Sequence, residues 1–405
     1  MRILQKIRDK LAIGWRISHL IGLMKPIQNE KIVFNNFLGK GYGDDPKYIC
    51  EALRKIRSDL DLVWLTDPQK NREQLDLPAE VRCVAYGSRQ ALYELTTAHI
   101  WISNVKNSIK PPKRAGQFYL QTWHSFLGIK QNEQTVEQKL SPEYVLSAKR
   151  DAAMTDLMYS NNDIRLALYR NHYWYRGPVI KCGVPHCGLY LKPEKMAWAG
   201  ARVREYFSLD ADTQIILYAP TFRGYAETTE MLLDFQRCLE IFAEQGKRHD
   251  DTASAPKKYV LLWRLHPNLA NRCREQIQNP SVVNATNYPD IYELVAACDI
   301  LISDYSACIF DGALAGKPVF LYTPDLQQYC KDVRALTFSP QQLPFSFSMN
   351  HTQLKENVET FSLSDYQNKC RQFFCSIGLV DDGTGAEVLA QRILDQIKEH
   401  ERSRE

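Results

Sequence analysis

Short apolar runs alternate with longer stretches of helical periodicity along most of the chain after residue 30. Each run has the length of a buried strand, and turn residues separate it from the helical stretch that follows. Strands that alternate with helices predict an α/β fold with largely parallel sheets covered by helices on both faces. The runs that we interpret as strands are 31–34, 62–65, 81–85, 99–103, 117–121, 156–159, 179–182, 214–219, 259–265, 300–302 and 319–321.

Residues 1–26 differ from the rest of the chain because basic and apolar side chains are interleaved in them. Ile3, Ile7 and Leu11 recur every fourth residue, as on one face of a helix. Two interpretations are open: a helix lying on an anionic membrane surface, or an ordinary helix packed on its own domain. The segment lacks the cleavage site of a secretory signal, and Pro26 ends it.

Composition narrows the class of protein further. With 405 residues and 44% hydrophobic content, the chain is long enough for two domains that each have a core. A formal net charge of +4 gives no reason to expect a nucleic acid partner. Eleven scattered cysteines without a CxxC pair are typical of reduced thiols in a cytosolic protein. No apolar run reaches the ~18–20 residues of a membrane span.

The segment 299–322 is the most informative part of the sequence. A short strand leads into the hydroxyl-rich turn 303–306, which contains Ser303, Asp304 and Ser306, and a helix is expected at 307–315. Ser303 or Ser306 could cap this helix or bind phosphate oxygens directly. A polar turn before a helix N-terminus favours an anion such as a nucleotide diphosphate. The alternative is a turn that only caps the helix.

Two histidines directly follow predicted strands. His124 lies beyond strand 117–121, and His266 lies beyond strand 259–265. Ligands of open α/β sheets bind at the carboxyl ends of the strands, where a histidine can act as a general base near neutral pH. For His124 the alternative is a histidine that orders a loop by bonding a carbonyl, and the residue taken alone favours that alternative.

Cations accompany these strand exits. Arg264 and His266 are alternate residues, so they point to the same face and could neutralise charge on a phosphate leaving group. The exit 218–223 contains Thr221 and ends in Arg223, another cation whose forked shape suits phosphate oxygens. Each arginine alone is more typical of a surface salt bridge. Three such exits, counting the turn 303–306, favour a site for a polyanion.

These segments resemble the CDP-glycerol glycerophosphotransferase family, which includes the teichoic acid primases and polymerases. The resemblance covers roughly residues 31 to 390 in the family's order. It implies a GT-B architecture, in which two Rossmann-like domains face each other across a cleft. The matching segments are Gln-Thr-Trp-His at 121–124, Tyr-Ala-Pro-Thr-Phe-Arg at 218–223, Arg-Leu-His-Pro at 264–267, Ser-Asp-Tyr-Ser at 303–306, Phe-Asp at 310–311, Lys-Pro at 317–318 and the stretch 325–329.

The resemblance also implies a division of the chain and a set of partners. The segments are a possible membrane-surface helix at 1–26, an acceptor domain at 27–184, a CDP-alditol-binding domain at 185–375 and a helical segment at 376–405. The implied donor is CDP-glycerol or CDP-ribitol, and the implied acceptor is a lipid-linked or polymeric surface glycan. The protein would attach peripherally to the inner face of the cell membrane.

Residue roles follow from the same resemblance, position by position. His124 is the expected catalytic base, and His266 is the second catalytic histidine, beside the pyrophosphate. No cofactor is certain; Asp304 and Asp311 could hold a divalent metal, although capping or packing suits them better. The residues expected to bind the donor are Thr221, Arg223, Arg264, Ser303, Asp304 and Ser306.

Two departures from the family's pattern concern the acceptor side and the domain crossover. The family's Gly and Thr after the first histidine are here Ser125 and Phe126. The family's Gly-x-Pro-Arg-x-Asp crossover reads Gly-Val-Pro-His-Cys-Gly at 183–188, with His186 and Gly188 in place of the Arg and the Asp. These changes put the identity of the acceptor, and that of the alditol, in question.

The expected reaction is in-line transfer of an alditol phosphate with release of CMP. Two other functions stay open. One is a sugar-nucleotide glycosyltransferase on the same architecture, which fold alone does not exclude. The other is a non-catalytic partner in a surface-polysaccharide assembly complex, which the presence of both His124 and His266 disfavours.

Overall fold

The computed structural model describes residues 17–70, 72–221, 233–249, 257–265 and 279–403, and it confirms the predicted α/β class with parallel sheets. The first sheet has the order β3-β2-β1-β4-β5. The parallel pair β6-β7 continues it through a bridge between Leu120 and Leu157. Its strands are β1 (Gln28–Asn35), β2 (Asp61–Thr66), β3 (Arg82–Ala85), β4 (Ala98–Ser103), β5 (Phe118–Gln121), β6 (Met158–Ser160) and β7 (Val179–Lys181).

The second sheet has the order β10-β9-β8-β11-β12-β13, and its pairings are also parallel. The strands β10 and β13 were not predicted. They are the two edge strands of this sheet and each is only partly buried, so their sequences are not apolar throughout. The strands of this sheet are β8 (Gln214–Tyr218), β9 (Tyr259–Trp263), β10 (Val282–Asn284), β11 (Ile300–Ser303), β12 (Val319–Tyr322) and β13 (Ser346–Ser348). Below, residues 17–181 are the first half and residues 193–376 the second half.

Helices flank both sheets, and local sequence explains how several of them begin. Ser88, Ser141 and Asn162 each accept a backbone N–H at the start of a helix, which satisfies a donor that the helix leaves open. The helices after residue 40 are α2 (Asp44–Ile56), α3 (Arg89–Thr97), α4 (Pro142–Met154), α5 (Asp163–His172), α6 (Gly188–Leu191), α7 (Pro193–Tyr206), α8 (Phe235–His249), α9 (Ile291–Ala297), α10 (Cys308–Leu314), α11 (Leu326–Asp332), α12 (His351–Glu359), α13 (Leu363–Ser376) and α14 (Gly385–Arg402).

The two halves share one continuous apolar core. It includes Ile32 and Leu53 from the first half and Leu217 and Leu301 from the second. The last helix, α14, buries Leu389 in this core and packs against α2 and β1, so the chain returns to the first half after leaving the second. Burying this apolar surface holds the two sheets together.

The order of the strands determines where a ligand can bind. β1 lies between β2 and β4, and β8 lies between β9 and β11, so each sheet changes direction of winding at these strands. Such a switch point opens a crevice outside the carboxyl ends of the strands. His124 follows β5 of the first sheet, and the turn 303–306 follows β11 of the second.

The predicted N-terminal helix is described only over residues 17–23, which form α1; residues 1–16 lie outside the described residues. On one side, His19 Nδ1 lies 3.2 Å from Thr96 Oγ1, and Gly22 permits close approach to the same side chain. On another side, Leu20 and Met24 are exposed. The described part of the helix is therefore compatible with both interpretations, a helix on a membrane surface and a helix packed on its own domain.

In the part of the chain that the structure describes, no helix combines the length and the apolar character that crossing a bilayer requires.

Candidate active site

His124 lies directly after β5, where the backbone turns at Trp123 with a φ of +59°. Its Nδ1 atom lies 3.0 Å from the carbonyl oxygen of Asn104, and its ring stacks on Trp123 with centroids 4.3 Å apart. A carbonyl oxygen only accepts, so we assign the hydrogen of the neutral ring to Nδ1 and the lone pair to Nε2. His124 therefore does bond a carbonyl, as expected of a histidine that orders a loop. The same bond places the Nδ1 hydrogen so that Nε2 can act as a base.

Asn104 was missed by the sequence interpretation, although it holds His124. It follows β4 and is fully buried. Its Nδ2 donates to Asp44 Oδ2 at 2.7 Å and to Asn36 Oδ1 at 2.6 Å, while its Oδ1 accepts the backbone N–H of Phe37 at 2.9 Å. A buried amide with these bonds has one orientation. A polar residue directly after an apolar strand was the available signal.

On the second sheet, hydrogen bonds join the exits of the neighbouring strands β8 and β11. Ser303 Oγ donates to the carbonyl oxygen of Ala219 at 2.6 Å. The carboxylate of Asp304 accepts the backbone N–H of Thr221 at 2.9 Å and that of Tyr305 at 2.5 Å. The structure therefore brings Thr221, Ser303 and Asp304 together, and the Asp304 carboxylate bonds to backbone N–H groups of both strand exits. Its role in binding the donor stays a prediction.

The prediction that Ser303 or Ser306 caps the following helix is wrong. Helix α10 begins at Cys308 with Ala307 as its N-terminal flanking residue, and no side chain caps it. Ser303 is fully buried and its hydroxyl is used by Ala219. Ser306 is half-buried in the turn itself. Its role in binding the donor stays a prediction.

Arg264 follows β9, the strand next to β8. Its Nη1 donates to the carbonyl oxygen of Tyr288 at 2.5 Å, and its backbone N–H donates to Tyr218 at 2.8 Å. Burial lowers the pKa of Arg264 to about 10, although Asp290 acts in the opposite direction. Arg264 thus lies at the same sheet edge as Thr221 and Ser303. His266 and Arg223 lie outside the described residues, so their roles stay predictions.

The loop that begins at His124 also contacts the second half. The backbone N–H of Gln131 donates to Ala335 at 2.9 Å, and that of Thr337 donates to Ile129 at 2.7 Å. This contact places the segment that follows His124 against residues of the second half.

A buried polar cluster lies where the Gly-rich loop 39–43 meets the crossover. His186 Nδ1 lies 2.7 Å from Asp45 Oδ1, and Nε2 lies 2.9 Å from Asp311 Oδ1. Burial and the adjacent Asp45 raise the pKa of Asp44 to about 7. Sequence analysis noted that His186 departs from the family's pattern but did not foresee this cluster.

Three residues of this cluster are of the types that bind metal ions: Asp44, Asp45 and His186 each offer an atom within 4.8 Å of the others. Each of those side chains is already hydrogen-bonded inside the protein, as are the two carboxylates considered from the sequence as possible metal ligands: Asp304 with backbone N–H groups and Asp311 with His186. The donor set therefore fits a hydrogen-bonded cluster.

A statistical model of the family described as CDP-glycerol:poly(glycerophosphate) glycerophosphotransferase matches residues 17–395. The chain belongs to this family. The family resemblance expected from the segments at 121–124, 218–223, 264–267 and 303–306 is thereby confirmed.

Curated relatives of this glycerophosphotransferase family member include two staphylococcal proteins. The chain is 26% identical to a teichoic acid poly(glycerol phosphate) polymerase of Staphylococcus epidermidis, over 92% of this chain and 52% of that protein. It is 24% identical to a teichoic acid glycerol-phosphate transferase of Staphylococcus aureus, over 95% of this chain and 98% of that protein. The chain thus spans about half the length of the first relative and nearly all of the second.

Among solved structures, the family member resembles the wall teichoic acid polymerase TagF. One TagF variant superposes with a TM-score of 0.82 at 23% identity, over 99% of this chain and 97% of that one. A TagF variant soaked with CDPG gives a TM-score of 0.81 at 24% identity, over 98% and 97% of the two chains. This likeness shows the fold, which is the expected GT-B architecture.

Proposed function

We propose that the protein transfers an alditol-phosphate unit from CDP-glycerol or CDP-ribitol to a hydroxyl of a lipid-linked or polymeric surface glycan. Membership of the glycerophosphotransferase family supports the reaction class. The observation that carries the proposal is the orientation of His124, whose Nδ1 is bound by the carbonyl oxygen of Asn104 at the carboxyl edge of the first sheet. On the second sheet, the turn 303–306 and Arg264 occupy the corresponding edge.

The reaction begins at the acceptor hydroxyl. Nε2 of His124 takes the hydroxyl proton, and the oxygen attacks the phosphorus that bears the alditol. A new phosphorus–oxygen bond forms to the acceptor, while the bond from that phosphorus to the oxygen shared with CMP breaks. CMP leaves with the electron pair. Holding the acceptor and the donor in line provides much of the rate.

The negative charge that develops on CMP needs donors that are already in place. Arg264 is the described cation at this edge, and its position is fixed by the carbonyl oxygen of Tyr288. In the sequence, Arg223 follows β8 and His266 follows β9, and in the proposal both add positive charge at this edge. Thr221, Ser303, Asp304 and Ser306 shape the turn that receives the diphosphate.

Attachment to the inner face of the cell membrane is part of the proposal. Helix α1 and the turn after it support it, because Ile17 and Leu20 in the helix and Met24 directly after it expose apolar side chains next to Lys25. The other side of α1 packs on Thr96, so the helix is held on the first half while these side chains stay accessible.

The test is a donor screen with a crude lipid-linked acceptor, read by mass spectrometry. CDP-glycerol, CDP-ribitol and a set of UDP-sugars are supplied separately, each with and without EDTA followed by Mg²⁺. We expect CMP and an acceptor heavier by one alditol phosphate. Release of UDP with sugar transfer would replace the proposal by a glycosyltransferase. The absence of any product with every donor would favour a non-catalytic role. The EDTA arm decides whether a divalent metal takes part.

A further inference from the structure

We propose that His186 is a positioning residue, which fixes the acceptor side of the site against the donor side by binding one carboxylate from each half of the molecule. This inference rests on the proposed phosphotransfer. The Asp45–His186–Asp311 contact is called the His186 bridge below.

The His186 bridge connects elements that carry the two sides of the site. Asp45 lies in the first turn of α2, immediately after the Gly-rich loop of the first half. Asp311 lies in α10, which begins two residues after the turn 303–306 of the second half. His186 lies in the crossover, with its ring fully buried and both nitrogens bound, at 2.7 Å and 2.9 Å. Its backbone N–H also donates to Asp45, at 3.0 Å.

A second contact makes the arrangement rigid. The ring of Tyr292 in α9 stacks on His186 with centroids 3.8 Å apart and planes 4° from parallel. The Tyr292 hydroxyl donates to Asp44 Oδ1 at 3.0 Å. Asp44 belongs to the first half and Tyr292 to the second, so this bond crosses between the halves beside the bridge.

The bridge is linked to the proposed base through Asp44, which directly precedes Asp45 in the chain, and two more hydrogen bonds. Asp44 Oδ2 accepts from Asn104 Nδ2 at 2.7 Å, and the backbone carbonyl of Asn104 holds His124 Nδ1 at 3.0 Å. In addition, the ring of Phe126, two residues after His124, lies 6.2 Å from the His186 ring. A change in the bridge therefore moves groups that hold the loop of His124.

Both partners of the ring are carboxylates, which accept hydrogen bonds, so both imidazole nitrogens donate when His186 is protonated. Burial opposes the charge, but the carboxylates of Asp45 and Asp311 outweigh it and hold the pKa of His186 well above its ordinary range. The cation thus compensates carboxylates that burial would otherwise penalise. The titratable groups that face the ring are Asp44 and Asp45 of α2, Cys187 of the crossover, Tyr190 of α6, Tyr292 of α9 and Asp311 of α10.

The first test is the variant His186→Gln, compared with Asp76→Asn. Asp76 is the matched control, because its exposed carboxylate also joins the halves, at 2.7 Å from Arg202, but away from His124 and α10. We expect His186→Gln to lower kcat by about ten- to a hundredfold, since small misplacements of reacting groups have effects of this size. The KM for the CDP donor should stay within about twofold, because the donor site lies in the second half. Asp76→Asn should leave both constants near those of the parent.

The second test is hydrogen exchange of the ligand-free protein, which needs no activity. We expect faster exchange in His186→Gln than in the parent in peptides covering 39–48 and 306–316, and no such change in Asp76→Asn. If His186→Gln does not fold, Asp311→Asn removes only the second-half side of the bridge and should show the same split between kcat and KM. Unchanged kcat and exchange in a folded variant, or equal losses in the control, would overturn the positioning role. A parent protein that transfers nothing would refute the proposed function, while the exchange experiment would still decide on the bridge.

Discussion

The Nδ1 atom of His124 lies 3.0 Å from the carbonyl oxygen of Asn104, and the Asn104 side chain is fixed in turn by Asp44 and Asn36. The proposed base is therefore held in one orientation, with its Nδ1 hydrogen directed at this carbonyl, before a substrate arrives. A preorganised base avoids the cost of ordering the side chain during the reaction.

Replacing His124 by alanine should abolish transfer while leaving the donor bound. We expect the rate of CMP release to fall by about 10²–10⁴-fold, the typical contribution of a general base. The dissociation constant for the CDP donor, measured by calorimetry, should stay within about twofold of the parent's. His172→Ala, a substitution of a half-buried histidine in α5, serves as the control and should change neither quantity. Weaker donor binding with normal turnover in His124→Ala would contradict the assignment.

Asp304 should matter for donor affinity because it shapes the turn that faces the diphosphate. Its carboxylate accepts two backbone N–H groups, from Thr221 and Tyr305, and joins the exits of β8 and β11. In Asp304→Ala these buried N–H groups lose their acceptor, at a cost of about 1–3 kcal/mol. A turn that loses these bonds should hold the diphosphate less well. We expect the donor dissociation constant to rise at least about tenfold, which corresponds to a loss of about 1.4 kcal/mol of binding free energy.

The matched control for Asp304 is Asp299→Ala. Asp299 also accepts a backbone N–H, from Ile215 at 2.7 Å, but at the opposite end of the same strands. A similar loss of donor affinity in both variants would mean that the effect is one of general stability rather than of the turn.

Much of the fold was predictable because single segments encode it. Strands such as β4 are buried along their whole length and therefore read as apolar runs. The turn 303–306 was also predictable, since its strand, its hydroxyls and the following helix are contiguous in the sequence. The capping prediction failed because Ser303 bonds to Ala219, which is distant in sequence and adjacent only in the folded sheet.

The buried cluster could not have been predicted in the same way. His186 binds Asp45 from 141 positions away and Asp311 from 125 positions away. The sequence showed only that a histidine replaces the family's arginine in the crossover. Pairings of this kind depend on how two sheets pack, which no local pattern records.

Asp44 should make stability depend on pH in a direction that can be worked out. Burial, together with Asp45, raises its pKa from 3.8 to about 7 in the folded protein. The folded state then binds this proton more tightly than the unfolded chain does, so the free energy of unfolding falls as pH rises from about 4 to about 7. His186 has the same sign: its stabilising effect is full below its unfolded pKa of about 6.5 and is lost as pH rises through its raised folded pKa.

The substitution Asp44→Asn isolates the contribution of Asp44. Because asparagine does not ionise, the stability of the variant relative to the parent should improve by roughly a few kcal/mol between pH 4.5 and pH 7.5. Urea denaturation at four or five pH values measures this difference, and titrating groups remote from Asp44 cancel between the two proteins. Asp59→Asn, at an exposed aspartate, is the control and should give a difference that changes little with pH. A constant difference for Asp44→Asn would contradict the raised pKa.

Binding of α1 to lipid is the last prediction, and it depends on side chains that are apolar and exposed at once. Leu20 is 59% and Met24 is 84% exposed. Moving a large apolar side chain from water into the bilayer interface contributes about 1.5–3 kcal/mol when burial is complete. The double variant Leu20→Ser with Met24→Ser should therefore bind vesicles containing anionic lipid at least about tenfold more weakly in a flotation assay.

Trp198→Ser removes an equally apolar side chain, 50% exposed, from α7, and should leave vesicle binding unchanged. Equal loss in both variants would indicate non-specific hydrophobic adsorption. Unchanged binding in the double variant would mean that α1 only packs against Thr96 of the first half.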